Sequence, residues 1–295
     1  MKKSFTGAIT ALVTPFEKSG KIDIFTLKKL VKFQIENGIS GIVVAGSTGE
    51  AATMDVKEYE LVVKTVVKIA KGLIPIIAGA GSNDTKKAIH LSQIAKKAGA
   101  DALLHVTPYY NKPSPAGLLA HYREIAKAVK MPIILYNVPG RTGLNVLPNT
   151  VLAIAKEVPL VIGIKEASGN VAQIGELIQK AAPTFIVLSG DDALTLPIMA
   201  MGGHGCISVV ANQKPKEFSE LVKVAQAGDF ARAKELHYQL LDLMNVNFIE
   251  TNPVPVKTSL AIMGMIKEVF RLPLAPLTMK NREVLISVLK KQRLL

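Results

Sequence analysis

The sequence predicts an α/β protein folded as a closed (β/α)8 barrel with a C-terminal helical extension. Three observations carry that expectation. Eight short apolar, β-branched runs alternate with helix-like segments along the 295-residue chain. Polar residues collect just after those runs, at the strand ends where barrel chemistry sits. The turn after the first run reads Thr14-Pro15-Phe16. A doubly wound open sheet, the rival architecture, would place a glycine-rich phosphate-binding turn there.

The first strand is read at 7–14. Leu27, Leu30, Val31 and Ile35 recur at helical spacing and predict a helix over 24–37, closed by Gly38. The second strand, 41–45, runs into Gly46-Ser47-Thr48-Gly49-Glu50, and a helix over 55–70 follows. Strand 75–80 and helix 84–98 come next. Strand 101–107 leads into Pro108-Tyr109-Tyr110-Asn111-Lys112-Pro113, then helix 115–129. Strand 132–136 enters the loop Asn137-Val138-Pro139-Gly140-Arg141-Thr142-Gly143, then a helix near 149–156. Strand 161–165 ends on Lys165, and helix 171–180 precedes strand 185–189. A short helix near 194–201 and a last strand, 205–210, complete the count. The barrel is assigned to 1–224. The remainder, 225–295, is assigned to a helical domain broken at Pro253, Pro255, Pro273 and Pro276.

Composition agrees with this reading. Apolar residues make up 49% of the chain and Trp is absent, so the core is aliphatic, as in parallel sheets covered on both faces. The net charge of +13 suggests an anionic partner. However, the lysines lie along helix faces, as in Lys28-Lys29-Lys32 and Lys64-Lys68-Lys71, without interleaved aromatics. They read as solvated faces rather than a nucleic-acid surface. Cys206 is the only cysteine, which excludes an intrachain disulfide and fits a reducing, cytoplasmic setting. Lys2 and Lys3 before an apolar run mimic a secretion signal, but Thr6, Thr10, Thr14 and Pro15 interrupt it. No uncharged apolar stretch is long enough to span a membrane. His90, His105, His121, His204 and His237 show no ligand spacing, which disfavours a metal-dependent aldolase.

The candidate chemistry centres on VIGIKEAS, 161–168. Burying an ammonium costs several kcal/mol unless it is compensated. A lysine in such a run is therefore paired, snorkelled to water or chemically used. Desolvation frees the amine as a nucleophile, and a Schiff base with a keto acid is the expected use. Strand alternation puts Val161, Gly163 and Lys165 on the inward face and Ile162 and Ile164 on the helix side. It also turns Tyr136 inward, and Gly163 is expected to leave room beneath Lys165. Imine formation needs proton transfers, for which Tyr136, Thr48 and Tyr110 offer hydroxyls from three strand ends. Arg141 offers a planar fork for a carboxylate. An ion pair of Lys165 with Glu166 or Asp191 is the competing reading. Glu50 is expected to cap or pair with backbone, and Asp191 and Asp192 to cap the helix after the seventh strand.

The motifs GSTGEAAT (46–53), VTPYYNKPS (106–114), LYNVPGRTG (135–143), GIKEASGN (163–170) and LSGDD (188–192) together resemble the dihydrodipicolinate synthase family. This family lies within the pyruvate-dependent aldolases that include N-acetylneuraminate lyase, and the resemblance covers nearly the whole chain. It implies a cytosolic homotetramer that condenses pyruvate with L-aspartate semialdehyde in lysine and diaminopimelate biosynthesis, without metal or organic cofactor. It further implies Lys165 as the Schiff-base lysine, Tyr136 as the central acid–base group and Thr48 as the relay threonine. Tyr110 would be lent by a neighbouring subunit. Ser47 would hold the pyruvate carboxylate, Arg141 the semialdehyde carboxylate, and Ile207 would present its carbonyl.

Two departures bear on function. Ser47 gives the GST spelling common in neuraminate lyases, but Arg141 and the Tyr-Tyr-Asn loop favour the synthases. Aldolase action on N-acetylneuraminate or a 2-keto-3-deoxy sugar acid is the alternative, and a non-catalytic keto-acid sensor a third reading. Where family members bind inhibitory lysine, the resemblance aligns Lys87 with a glutamate and Val56 and Tyr59 with histidines, while Asn83 and Tyr109 are kept. A cation facing the ligand's ammonium predicts weak or absent inhibition by lysine.

Overall fold

The computed structural model describes residues 4–295, so the Lys2-Lys3 feature lies outside the described residues. Eight parallel strands close into a barrel in sequence order: β1 (Gly7–Ala11), β2 (Gly41–Val44), β3 (Ile76–Gly79), β4 (Ala102–Val106), β5 (Ile133–Asn137), β6 (Val161–Glu166), β7 (Ile186–Ser189) and β8 (Gly205–Ser208). Closure is made by β8 against β1, with Ile9 opposite Ile207. Ile9, Val43, Ile77, Leu104, Ile134 and Leu188 fill the barrel interior.

The outer layer comprises α1 (Ile24–Glu36), α2 (Val56–Ala70), α3 (Thr85–Lys97), α4 (Pro115–Val129), the single turn α5 (Pro139–Thr142), α6 (Pro148–Glu157), α7 (Val171–Lys180), α8 (Thr195–Ala200) and α9 (Pro215–Gln226). Their starts follow local chemistry. Asp55 and Glu58 form a reciprocal capping box on α2, and Ser114 followed by Pro115 opens α4. Three further helices form the extension: α10 (Phe230–Val246), α11 (Val254–Ile262) and α12 (Met279–Lys291). The boundary drawn after 224 falls inside the last turn of α9. Among the described residues, no helix is long and apolar enough to cross a membrane.

Some local expectations are corrected. The eighth strand stops at Ser208, because the Asp192 carboxylate takes the N–H groups of Val209 and Val210 at 3.0 and 2.7 Å. The Ser208 hydroxyl then takes that of Ala211 at 3.0 Å. Asp192 therefore does not cap the helix after β7, and Asp191 turns its carboxylate onto the N–H of Ala193. The first strand ends at Ala11, where the Asn212 side chain accepts from the N–H of Val13 and donates to the Ala11 carbonyl.

Strand alternation holds only along part of β6. The register with β5 slips, so that Ile133 faces Val161 and Ile134 faces Gly163. The extra residue, Ile162, packs on the barrel interior, and Val161 joins the helix-facing core. Beyond the bulge, Gly163 and Lys165 face inward and Ile164 outward. Gly163 is small for a different reason from the one expected. A Cβ there would lie 2.5 Å from the Ile186 carbonyl oxygen of β7. The residue that leaves room for the lysine is Gly190, whose Cβ would come within 3.0 Å of Lys165 Cε.

Candidate active site

The strand ends surround a cavity of about 630 Å³, walled by Lys165, Tyr136, Thr48, Ser47 and Arg141. Lys165 and Tyr136 are direct neighbours across β6 and β5. Both are buried, and the Lys165 Nζ lies 4.4 Å from the centre of the tyrosine ring. Among the described residues, no carboxylate lies within ion-pair distance of that amine.

The two carboxylates considered as its partners are engaged elsewhere. Glu166 accepts from the Asn137 amide at 3.0 Å and from the Ser168 N–H at 2.7 Å. Burial, opposed by these bonds, raises its pKa above the usual carboxylate value. Asp191 serves its own turn.

A second buried lysine supplies the contrast. Lys257, on α11, is fully buried and paired with the Glu50 carboxylate, with the Phe16 ring centre 4.2 Å from its ammonium. Desolvation lowers its pKa, opposed by Glu50. Glu50 thus meets a side-chain cation in addition to the backbone pairing expected of it. Its second oxygen accepts the N–H of Arg271 at 3.2 Å.

Thr48 sits in the tight turn after β2, where the Gly46 carbonyl accepts from the N–H groups of Gly49 and Ala51. Its hydroxyl oxygen accepts from the Asn252 amide at 3.0 Å. Arg141 follows β5 on α5, a helical turn where sequence suggested loop, begun by the Val138 carbonyl accepting from Arg141 and Thr142. Its guanidinium donates to the Asn252 carbonyl at 3.0 Å. Asn252 therefore joins Thr48 to Arg141, and sequence reading missed it. The available signal was an asparagine directly before a proline at a break in the helical extension.

Ser47 is exposed at the cavity wall. Two expected site residues stand apart from that wall. Ile207 is buried in the barrel interior. Tyr110 is 89% exposed, held at φ +69° in its loop. Of the residues aligned with a lysine-binding site, Lys87, Val56, Tyr59 and Tyr109 line the same cavity. The Tyr59 hydroxyl is buried without a protein partner, and burial raises the pKa of its phenol.

Residues 4–292 match the model of the dihydrodipicolinate synthetase family. The chain belongs to this family. A 4-hydroxy-tetrahydrodipicolinate synthase of Maridesulfovibrio salexigens is 52% identical over 292 residues, covering 99% of this chain and 100% of that protein. The crystal structure of dihydrodipicolinate synthase from Aquifex aeolicus superposes with a TM-score of 0.96 at 46% identity, covering 98% of this chain and 99% of that one. The chloride-inhibited dihydrodipicolinate synthase from Acinetobacter baumannii, solved with pyruvate, gives 0.97 at 46% identity, over 99% of this chain and all of that one. Family membership and the barrel with its helical extension thus agree with the sequence reading.

Proposed function

We propose that this chain is a 4-hydroxy-tetrahydrodipicolinate synthase, condensing pyruvate with L-aspartate semialdehyde through an imine on Lys165. The observation that carries the mechanism is the contrast between two buried lysines. Lys257 has a carboxylate partner, whereas Lys165 has none among the described residues and faces a cavity. An unpaired buried amine is held in reserve for a covalent partner.

Lys165 Nζ attacks the keto carbon of pyruvate, and water leaves to give the imine. Loss of a methyl proton makes the enamine, whose carbon attacks the aldehyde. The substrate amine then closes on the imine carbon and releases Lys165. Each transfer needs an acid or base beside the lysine. Tyr136 is the nearest candidate, with Thr48 and Tyr110 extending the relay. Ser47 takes the pyruvate carboxylate and Arg141 that of the semialdehyde, while Ile207, buried in the barrel interior below the cavity wall, is left to pack beneath the site. The lysine itself supplies the electron sink, so no step calls for a metal or an organic cofactor. The exposure of Tyr110 supports its donation to a neighbouring copy in a homotetramer, and the single cysteine supports a cytoplasmic setting.

A coupled assay of pyruvate with L-aspartate semialdehyde or with N-acetylmannosamine tests the choice of second substrate. Turnover of the semialdehyde alone is expected. Turnover of the amino sugar alone would assign the chain to the lyase branch.

A further inference from the structure

Asn252 lies in the bend between α10 and α11, 204 residues from Thr48 along the chain, yet it lines the cavity. We propose that Asn252 is a positioning residue whose amide fixes the direction in which the Thr48 hydroxyl gives its proton. This inference rests on Thr48 acting in the relay.

A hydroxyl has one proton to donate and two lone pairs. The Asn252 Nδ2 donates to one of those lone pairs at 3.0 Å. With an N–H aimed at it, Thr48 does not donate back along the same line. Its proton is turned instead toward the cavity, whose wall holds Tyr136 and Lys165. The amide in the opposite orientation would accept the threonine proton and remove it from the relay.

The placement of Asn252 is fixed from both sides. Its backbone carbonyl accepts from Arg141 at 3.0 Å. Farther along the same segment, Lys257 is buried against Glu50, which belongs to the turn that carries Thr48. The Thr48 turn and the Asn252 bend are thus tied at two points. The amide meets Thr48 through its Nδ2, and its Oδ1 is buried with no protein partner.

The test is a double-mutant cycle on kcat with pyruvate and L-aspartate semialdehyde. Asn252→Asp keeps the shape but replaces the donor with an acceptor. It is expected to lower kcat about 10- to 100-fold, the scale of a relay step, with the KM for pyruvate changed less than about threefold. Asn252→Ala leaves the hydroxyl free to rotate and is expected to lose less than Asn252→Asp. In a Thr48→Val background, Asn252→Asp is expected to change kcat less than about twofold. A purely structural role predicts the reverse ranking, since alanine removes more packing, and an undiminished cost in the Thr48→Val background. Either result overturns the inference. Should Asn252→Asp fail to fold, the isosteric Asn252→Leu takes its place in the cycle. Its cost is expected to vanish in the Thr48→Val background, and persistence overturns the inference. Wild-type kcat in Thr48→Val alone would instead remove the relay reading itself.

Discussion

Lys165 and Tyr136 face each other across adjacent strands, with the amine 4.4 Å from the ring centre. The ring face steadies an ammonium by cation–π attraction. The phenol edge is left for proton transfer. Tyr136→Phe keeps the first contribution and removes the second. Its kcat is expected to fall about 100-fold or more, while its urea-unfolding midpoint stays near that of the wild type. An unchanged kcat would show that the hydroxyl has no acid–base task.

Arg141 is exposed at the cavity mouth and held by the Asn252 carbonyl. Arg141→Ala is expected to lower kcat/KM for the semialdehyde about 10- to 100-fold, the loss of a charge-assisted contact worth about 1.5–3 kcal/mol. Cys206 is buried on β8, away from the cavity wall, and Cys206→Ser is expected to retain most activity. Similar activities in the two variants would contradict the carboxylate role.

Lys87 lines the cavity beside Val56 and Tyr59, and a lysine taken up there would bring its own ammonium against a like charge. Steady-state assays are expected to show no inhibition by L-lysine at submillimolar concentrations. Inhibition in that range would mean that the ligand finds another counter-charge.

Lys257 and Glu50 form a fully desolvated pair. Lys257→Met leaves the carboxylate buried alone and is expected to cost about 3–5 kcal/mol in urea unfolding. Adding Glu50→Gln is expected to recover part of that loss. A single variant as stable as the wild type would mean that water reaches Glu50.

His105 on β4 and His121 on α4 are bonded to Ser92 and Thr85 at 3.1 and 2.9 Å. Burial lowers their pKa values from 6.5 to about 3 and about 4. The unfolded chain therefore binds protons that the folded chain refuses. Their contribution is complete above the unfolded value of 6.5 and is lost progressively as pH falls toward about 4 and then about 3. By pH 5 the two together are expected to remove about 4 kcal/mol relative to pH 8, read from urea midpoints. His105→Gln and His121→Gln are expected to flatten that slope, and an unchanged slope would locate it elsewhere.

The barrel was legible because the strands are short apolar runs rich in β-branched residues and most of the long helices carry an apolar period, several with a capping side chain at the start. The inward aim of Lys165 was legible too, but only because the bulge at Ile162 lies before Gly163. Alternation counted from Val161 fails where the register slips, and nothing in the local residues announces that slip. Lys257 stands in an apolar run, as Lys165 does, and the same cost of burial would have singled it out. What sequence does not carry is its partner, since Glu50 lies 207 residues away. Asn252 escaped for the same reason. Its role exists only once the helical extension folds back over the Thr48 turn.

Lys165 is expected to form an imine with pyruvate. Borohydride reduction in the presence of pyruvate, followed by peptide mass mapping, tests it most directly. A reduced pyruvyl adduct is expected on the peptide containing Lys165, absent without pyruvate and absent from Lys165→Ala. No adduct, or an adduct on Lys257 instead, would mean that Lys165 is not the Schiff-base lysine.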